Sequence, residues 1–345
     1  MPKVLIIGPN YFNFLSAVSD AFRQMGWEAV VEGYDGPVHP YRALMRFRYK
    51  LSRNKERLKS NSRQAFSRYM EARFHALAPD LVFIMNGDML LPATLDVFRV
   101  SAKVAVWLYD NRVRIPSCEA FIDHSDAFFC FDPTDVAWFV SQGKNAFFLP
   151  QACDTTVYRP LDGMERDIDI LFIGDMYVSP RRKQLTTAMA ARFPDRKVVF
   201  YGRFQPWYKG FRAWLLRPYK RVFKNRNVSS QEANRLYNRA RVVLNIHQEH
   251  QRDGANPRVF EICGAGAWQV CDRNPFIAAL FPEGTIGLYE NQEELFLRIE
   301  EALARDMSAR AAEACRLVRS QHAFRNRMEE VLRKAGLASP GNGNG

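Results

Sequence analysis

The chain has 345 residues, 47% of them hydrophobic and 25% charged, enough apolar material for two buried cores at the usual domain size of about 100–200 residues. No apolar run approaches the roughly 18–20 residues of a membrane-spanning helix, and the six cysteines (Cys118, Cys130, Cys153, Cys263, Cys271, Cys315) show no CxxC pair or zinc spacing and read as reduced, buried thiols. The formal net charge of +12 is concentrated: residues 41–64 and 203–226 each carry a balance of +8, which leaves the rest of the chain mildly acidic at −4.

The opening MPKVLIIGPN has one basic residue and a short β-branched run. It reads as a first strand and not as a signal peptide, so the chain is expected in the cytoplasm. Helical periodicity follows through Leu15, Val18, Phe22 and Met25, Gly26 ends it, and 28–31 is the next strand. This β-loop-α-β opening is the unit of parallel, doubly wound sheets. Further apolar runs at 80–85, 103–108, 127–131 and 146–150 complete a first α/β domain over 1–155. Residues 151–167 have linker composition. A second series of strands, at 168–174, 197–202, 241–246 and 267–271, defines a second α/β domain over 165–318. A helix at 319–337 is expected to pack back on the first domain, and 338–345 has the composition of a disordered tail. Two such halves place a cleft between the carboxyl edges of their sheets, where ligands bind.

Three segments of the second half carry chemistry. In IDILFIGDMYVSPRRKQL (168–185) a strand ends at Gly174, and Arg181, Arg182 and Lys183 open a helix. A helix N-terminus offers free N–H groups and a partial positive charge; three cations there disfavour the helix alone but suit one that holds a phosphate, the alternative being a solvated basic turn. No GxGxxG or Walker loop is present, which argues against NAD and ATP. In NIHQEHQRDG (245–254), His247, Glu249 and His250 look metal-rich. On an extended segment, however, 247 and 249 share a face and 250 does not, so the segment is read as a loop presenting His247 to a ligand, with no metal.

In NPRVFEICGAGAWQV (256–270), Pro257 suits a first helical turn with Asn256 as N-cap, and Gly264-Ala265-Gly266 ends the helix. Val259, Phe260, Ile262 and Cys263 can face the core. Arg258 and Glu261, three apart, share a face. A carboxylate there is suited to both hydroxyls of a ribose and the Arg to phosphate; a plain surface ion pair is the alternative.

Together, Leu244-Asn245-Ile246-His247, Asn256-x-Arg258-x-Phe260-Glu261 and Cys263-Gly264-Ala265 resemble the donor-site signature of CgeB-type glycosyltransferases, which are similar to the group 1 set with the GT-B fold. Trp107-Leu108-Tyr109-Asp110-Asn111 resembles the Trp-x-x-Asp-Asn segment of that family's N-terminal domain, and Gly8-Pro9-Asn10-Tyr11-Phe12-Asn13 and the Pro-Arg-Arg-Lys turn at 180–183 also fit. The resemblance implies two Rossmann-like parallel-sheet domains across a cleft, with a nucleotide-diphosphate sugar held mainly by the C-terminal half. It implies Glu261 on the ribose and Arg181, Arg182 and Arg258 on the diphosphate. Gly174, Arg203, His247, Asn256, Phe260 and Gly264 complete the expected donor site. One departure concerns the two glutamates that group 1 retaining enzymes separate by seven residues: here Glu249 and Glu261 have eleven between them.

Glycosyl transfer by such a fold needs no cofactor or metal, because cations and helix dipoles stabilise the leaving diphosphate. An inverting enzyme also needs a base toward the acceptor hydroxyl. Asp110 is the candidate, Asp88 the runner-up, with Asn10 and Asn13 on the same acceptor side; retaining and inverting outcomes both stay open. Asp167 and Asp169 form a DxD pair but begin a strand and are discounted. The acceptor is a glycan, lipid-linked or protein hydroxyl. The stretches 41–64 and 203–226 interleave cations with aromatics. They suit a solvated face with its aromatics inside, an anionic membrane surface holding the protein peripherally, or, less well, RNA. The alternative to an enzyme is a non-catalytic sugar-nucleotide-binding or RNA-binding protein.

Overall fold

The computed structural model describes residues 1–9, 13–34, 55–204, 219–249 and 253–337. The chain divides into two compact units, Met1–Pro150 with Phe324–Gly345, and Gln151–Ala323. Each is built on an all-parallel sheet, as continuous apolar runs such as Leu81–Met85 require, because helices cover both faces of a parallel sheet and leave no polar alternation.

The first unit contains β1 (Lys3–Gly8), α1 (Phe14–Gln24), β2 (Glu28–Gly33), α2 (Lys55–Leu77), β3 (Leu81–Met85), α3 (Pro92–Arg99), β4 (Lys103–Leu108), a 3-10 segment (Pro116–His124), β5 (Ala127–Cys130), α4 (Pro133–Ser141) and β6 (Phe147–Phe148). The strand order is β2-β1-β3-β4-β5-β6. The chain moves one way from β1 to β2 and the other way to β3, so the β1/β3 edge is the switch point at which such sheets bind ligands.

The second unit contains β7 (Ile168–Ile173), α5 (Pro180–Arg192), β8 (Val198–Tyr201), α6 (Ser230–Arg239), β9 (Ala240–Asn245), α7 (Pro257–Gly264), β10 (Gln269–Asp272), α8 (Pro275–Leu280), β11 (Gly287–Tyr289), α9 (Gln292–Ala304) and α10 (Ser308–Gln321). Its strand order, β11-β10-β9-β7-β8, puts the switch point between β7 and β9. The three-residue β11 carries too short an apolar run to be read from sequence.

Three boundaries differ from expectation. The first domain does not extend to 155: the segment from Gln151 joins the second unit, whose core includes Cys153 and Tyr158. The second unit likewise runs past 318, to Ala323. The single helix expected over 319–337 is two pieces, because α10 ends at Gln321 and α11 starts at Phe324 and runs to Lys334. The backbone between them pairs with another segment instead: His322 O accepts from Cys153 N at 2.9 Å, and Cys153 and Ala323 form a parallel bridge. Helix α11 belongs to the first unit, where Phe324 packs 6.2 Å from Phe14 of α1 and Arg327 Nε donates to Pro150 O at 2.8 Å.

Of the basic stretches, 41–54 and 205–218 lie outside the described residues, as does the tail 338–345. Residues 55–64 form the start of α2, where most side chains over 56–64 are exposed. In the other stretch, Phe223 is buried and its ring lies 4.2 Å from that of Phe204, so these two aromatics serve the core. Among the described residues no helix is long and apolar enough to cross a membrane.

Candidate functional site

At the β7/β9 switch point the loop after β7 turns into α5. Gly174 and Gly202 let the ends of β7 and β8 approach: a Cβ on Gly202, whose φ is +117°, would meet Gly174 O at 2.0 Å. Ser179 caps α5, its Oγ accepting from Arg182 N at 3.2 Å. Glu249, from the loop after β9, then accepts from Ser179 Oγ at 3.0 Å and from Arg181 N at 3.1 Å. With Pro180 lacking an N–H and Lys183 N bonded to Ser179 O, the first-turn backbone donors are all taken. The anion expected at this helix end is therefore, in the structure, the chain's own carboxylate; burial pushes it up, but its own backbone N–H, then the Arg181 N–H and the Ser179 hydroxyl, hold it below its usual range.

The cations of that turn part company. Arg182 is buried, with Nε donating to Ile246 O at 2.7 Å. Burial, then the charge of Arg258, brings its guanidinium down to about 10. Arg181 reaches Asp272 at the end of β10, 2.8 Å from NH1. Arg203 is paired with Asp175, its Nε 2.7 Å from Oδ2.

Both ring nitrogens of His247 are engaged within the protein. Asp272 Oδ1 accepts from its backbone N at 3.0 Å and from Nδ1 at 2.8 Å, while Asn256 N donates to Nε2 at 3.1 Å. An Nε2 that accepts carries no proton, so the proton sits on Nδ1 and both ring nitrogens are used. Although burial pushes the Asp272 carboxyl up, His247 and Arg181 hold it well below the usual range. Cys271 shares this corner, the three side chains' ligating atoms all lying within 4.8 Å. Burial pushes its thiol up, and the imidazole beside it is engaged at both nitrogens.

Asn256 caps α7 as expected, accepting from Val259 N at 3.3 Å, but its amide is also locked to Asn245 (Nδ2 to Oδ1, 2.9 Å), which in turn donates to Gln269 Oε1 at 3.0 Å. This buried amide network fixes the start of α7; it leaves Asn256 a scaffold residue. Two further expected donor residues are packing residues. Phe260 is fully buried and stacks on His322 with ring centroids 5.5 Å apart, and a Cβ on Gly264 would meet Cys153 Sγ at 2.4 Å.

One turn into α7, Arg258 and Glu261 do share a face, and it is turned inward. Glu261 is 8% exposed; burial raises its carboxyl, against the nearby Arg258 charge and the Tyr158 hydroxyl. Arg258 lies by Tyr237, Glu261 and Tyr158, and its Nε is buried with no hydrogen-bond partner among the described residues. Asp253, which the sequence reading passed over, is partly buried ahead of α7 with seven residues between it and Glu261, an Asp at the spacing sought with Glu249.

On the first unit, Asp110 follows the carboxyl end of β4, with Oδ2 2.8 Å from Arg114 NH1 and Oδ1 accepting from Asn111 N at 2.9 Å. Asp88 follows the adjacent β3; burial raises its carboxyl, and Arg63 Nε donates to its carbonyl at 2.8 Å. Asn13 starts α1 with φ 62° and no side-chain cap bond. Asn10 lies outside the described residues. Asp167 and Asp169 are at the amino edge of the second sheet, Asp167 bonded to Arg239 Nε at 2.7 Å and Asp169 to Arg241 NH1 at 3.3 Å, away from this chemistry.

Residues 181–333 match the family model described as glycosyl transferase-like. No curated protein sequence matches the chain. Among solved structures it is similar to sucrose-phosphate synthase from Thermosynechococcus elongatus (13% identity, 97% of this chain and 99% of that one, TM-score 0.67). It is also similar to AviGT4, a glycosyltransferase involved in avilamycin A biosynthesis (16% identity, 97% of each chain, TM-score 0.63). A third similar structure is a UDP-forming α,α-trehalose-phosphate synthase from Burkholderia xenovorans (15% identity, 98% of this chain and 100% of that one, TM-score 0.64). At these identities the structures speak for the fold and the family model for the chemistry. Residues 181–333 thus match a glycosyl transferase-like model, and the chain has the two-sheet fold of the GT-B glycosyltransferases it is similar to.

Proposed function

We propose that the second unit binds a nucleoside-diphosphate sugar and that the chain moves the sugar to a hydroxyl of a glycan, lipid-linked or protein acceptor. One observation carries the reading. Arg182 and Arg258 lie close enough for one charge to depress the other, both at the carboxyl side of the β7/β9 switch point, and Arg258 Nε is buried with no hydrogen-bond partner among the described residues. Two guanidinium groups this close, one buried and one partly buried, suit a ligand of more than one negative charge beyond the carboxylates already nearby, and a diphosphate is of that charge. In transfer, negative charge grows on the leaving diphosphate, and these fixed cations stabilise it more as it grows.

Glu261, one helical turn on, takes the ribose hydroxyls in this reading, with Asp253 at the companion position nearer the sugar. On the first unit, Asp110 is the base toward the acceptor hydroxyl and Asp88 the second candidate. Thermal unfolding with UDP, GDP, CDP, ADP and dTDP tests the donor site. One diphosphate raises Tm in the wild type, and Glu261→Gln and Arg258→Ala lose the shift. Absence of a shift with all five overturns the assignment of this edge as a donor site.

A further inference from the structure

The end of α5 poses a problem for any diphosphate. Glu249 Oε1 already accepts from Ser179 Oγ at 3.0 Å and Arg181 N at 3.1 Å, and the Arg181 guanidinium is held by Asp272 at 2.8 Å. The carboxylate comes from a loop separated in sequence by 70 residues from Ser179, and its residue is exposed overall although the carboxylate itself is partly desolvated. Around it stand groups better suited to a second anion than to none. Arg182 is 4% exposed, and among the described residues its guanidinium donates to the carbonyls Ile246 O and Asp175 O. The Tyr289 hydroxyl, on the last residue of β11, is buried and has no hydrogen-bond partner among the described residues, while the group lies within electrostatic range of Arg181 and Arg182.

We propose that Glu249 is a displaceable counter-anion: it occupies the first-turn donors of α5 in the empty protein and leaves them to a phosphate oxygen when a diphosphate binds. This inference rests on the donor-site reading and adds a regulation to it. A carboxylate and a phosphate cannot share one N–H donor. The exchange also returns the Arg181 backbone N–H to the ligand at the helix end with the partial positive charge. The device keeps the cation cluster neutralised between turnovers and weakens the hold on the leaving diphosphate, so it favours product release.

The experiment measures the affinity of the full chain for inorganic pyrophosphate by calorimetry in the wild type, Glu249→Ala and Glu249→Gln. Loss of a competing charged acceptor tightens the dissociation constant of Glu249→Ala by about tenfold, the size of one charge-assisted hydrogen bond, with Glu249→Gln between it and the wild type. Tm of the free variants, expected to fall slightly from the lost helix-end contact, confirms that they are folded. If the wild type binds and Glu249→Ala binds equally or more weakly, the counter-anion is overturned while the donor site stands. If neither the wild type nor the variants bind pyrophosphate, and the nucleoside diphosphates also give no shift, the donor-site reading falls and this inference with it.

Discussion

Asp272 is joined to His247 twice, through the backbone N–H at 3.0 Å and the ring Nδ1 at 2.8 Å, both on the same carboxylate oxygen. The pair ties the end of β10 to the end of β9, and through His247 Nε2 to the N–H of the residue that caps α7. Replacing Asp272 by Ala leaves two buried donors unmet and costs about 2–4 kcal/mol in urea unfolding at neutral pH. The pH dependence has a sign. The folded-state pKa lies below the unfolded one, so this stability is complete above about pH 4 and is lost as pH falls toward the depressed folded value. The wild type should therefore lose its advantage over Asp272→Ala in acid; an advantage independent of pH would show that the ionised carboxylate is not its source.

Gly264 offers a steric prediction. Ala there improves helix propensity slightly but brings a Cβ within 2.4 Å of Cys153 Sγ, both in the second unit. Overpacking of this kind costs about 1–3 kcal/mol. Cys153→Ala removes the obstructing sulfur, so the double variant should recover most of the loss, and a thermodynamic cycle should show coupling. Additive effects would mean that the helix end shifts freely and the glycine is not required.

Glu261 should trade stability for binding. Burial raises its folded-state pKa, so its contribution is best at low pH and deteriorates as pH rises through that raised value. Glu261→Gln should gain on the wild type in chemical-denaturation stability as pH rises from about 4 toward neutrality, starting near the ordinary carboxylate value. The same variant should bind the stabilising nucleoside diphosphate more weakly. A variant that is less stable at every pH would instead mark the Arg258–Glu261 contact as a net support of the fold.

On the first unit, Asp110→Asn should leave stability almost unchanged, because its bond to Arg114 is surface-exposed on the Arg side, and lower kcat by about 10²–10⁴ with little effect on KM. Asp88→Asn, at the more buried carboxyl, should have the smaller kinetic effect. If Asp88→Asn abolishes turnover and Asp110→Asn does not, the two roles are exchanged.

The two sheets were legible because their inner strands are buried on both faces and carry their signal locally, as in Lys103–Leu108, where the expected and observed bounds coincide. The α7 start was legible for a similar reason: an Asn cap followed by Pro is a contiguous pattern. Gly287–Tyr289 was not, since three residues form no period, and the break at His322 was not, since its cause is a bond to Cys153.

Sequence by itself determined the fold class, the strands and the segments in which charged chemistry gathers, because those depend on patterns among neighbours in the chain. Which side chains of those segments are free for a ligand was decided only in three dimensions. His247, Asn256, Phe260 and Gly264 lie in the right motifs, yet they are consumed by partners such as Asp272, Asn245, His322 and Cys153. The occupancy of the helix end by Glu249, 70 residues from Ser179, and the capture of Arg181 by Asp272, 91 residues away, come from the crossover connections of a parallel sheet. Such connections bring distant carboxyl ends together, and no pattern confined to one stretch of chain records them.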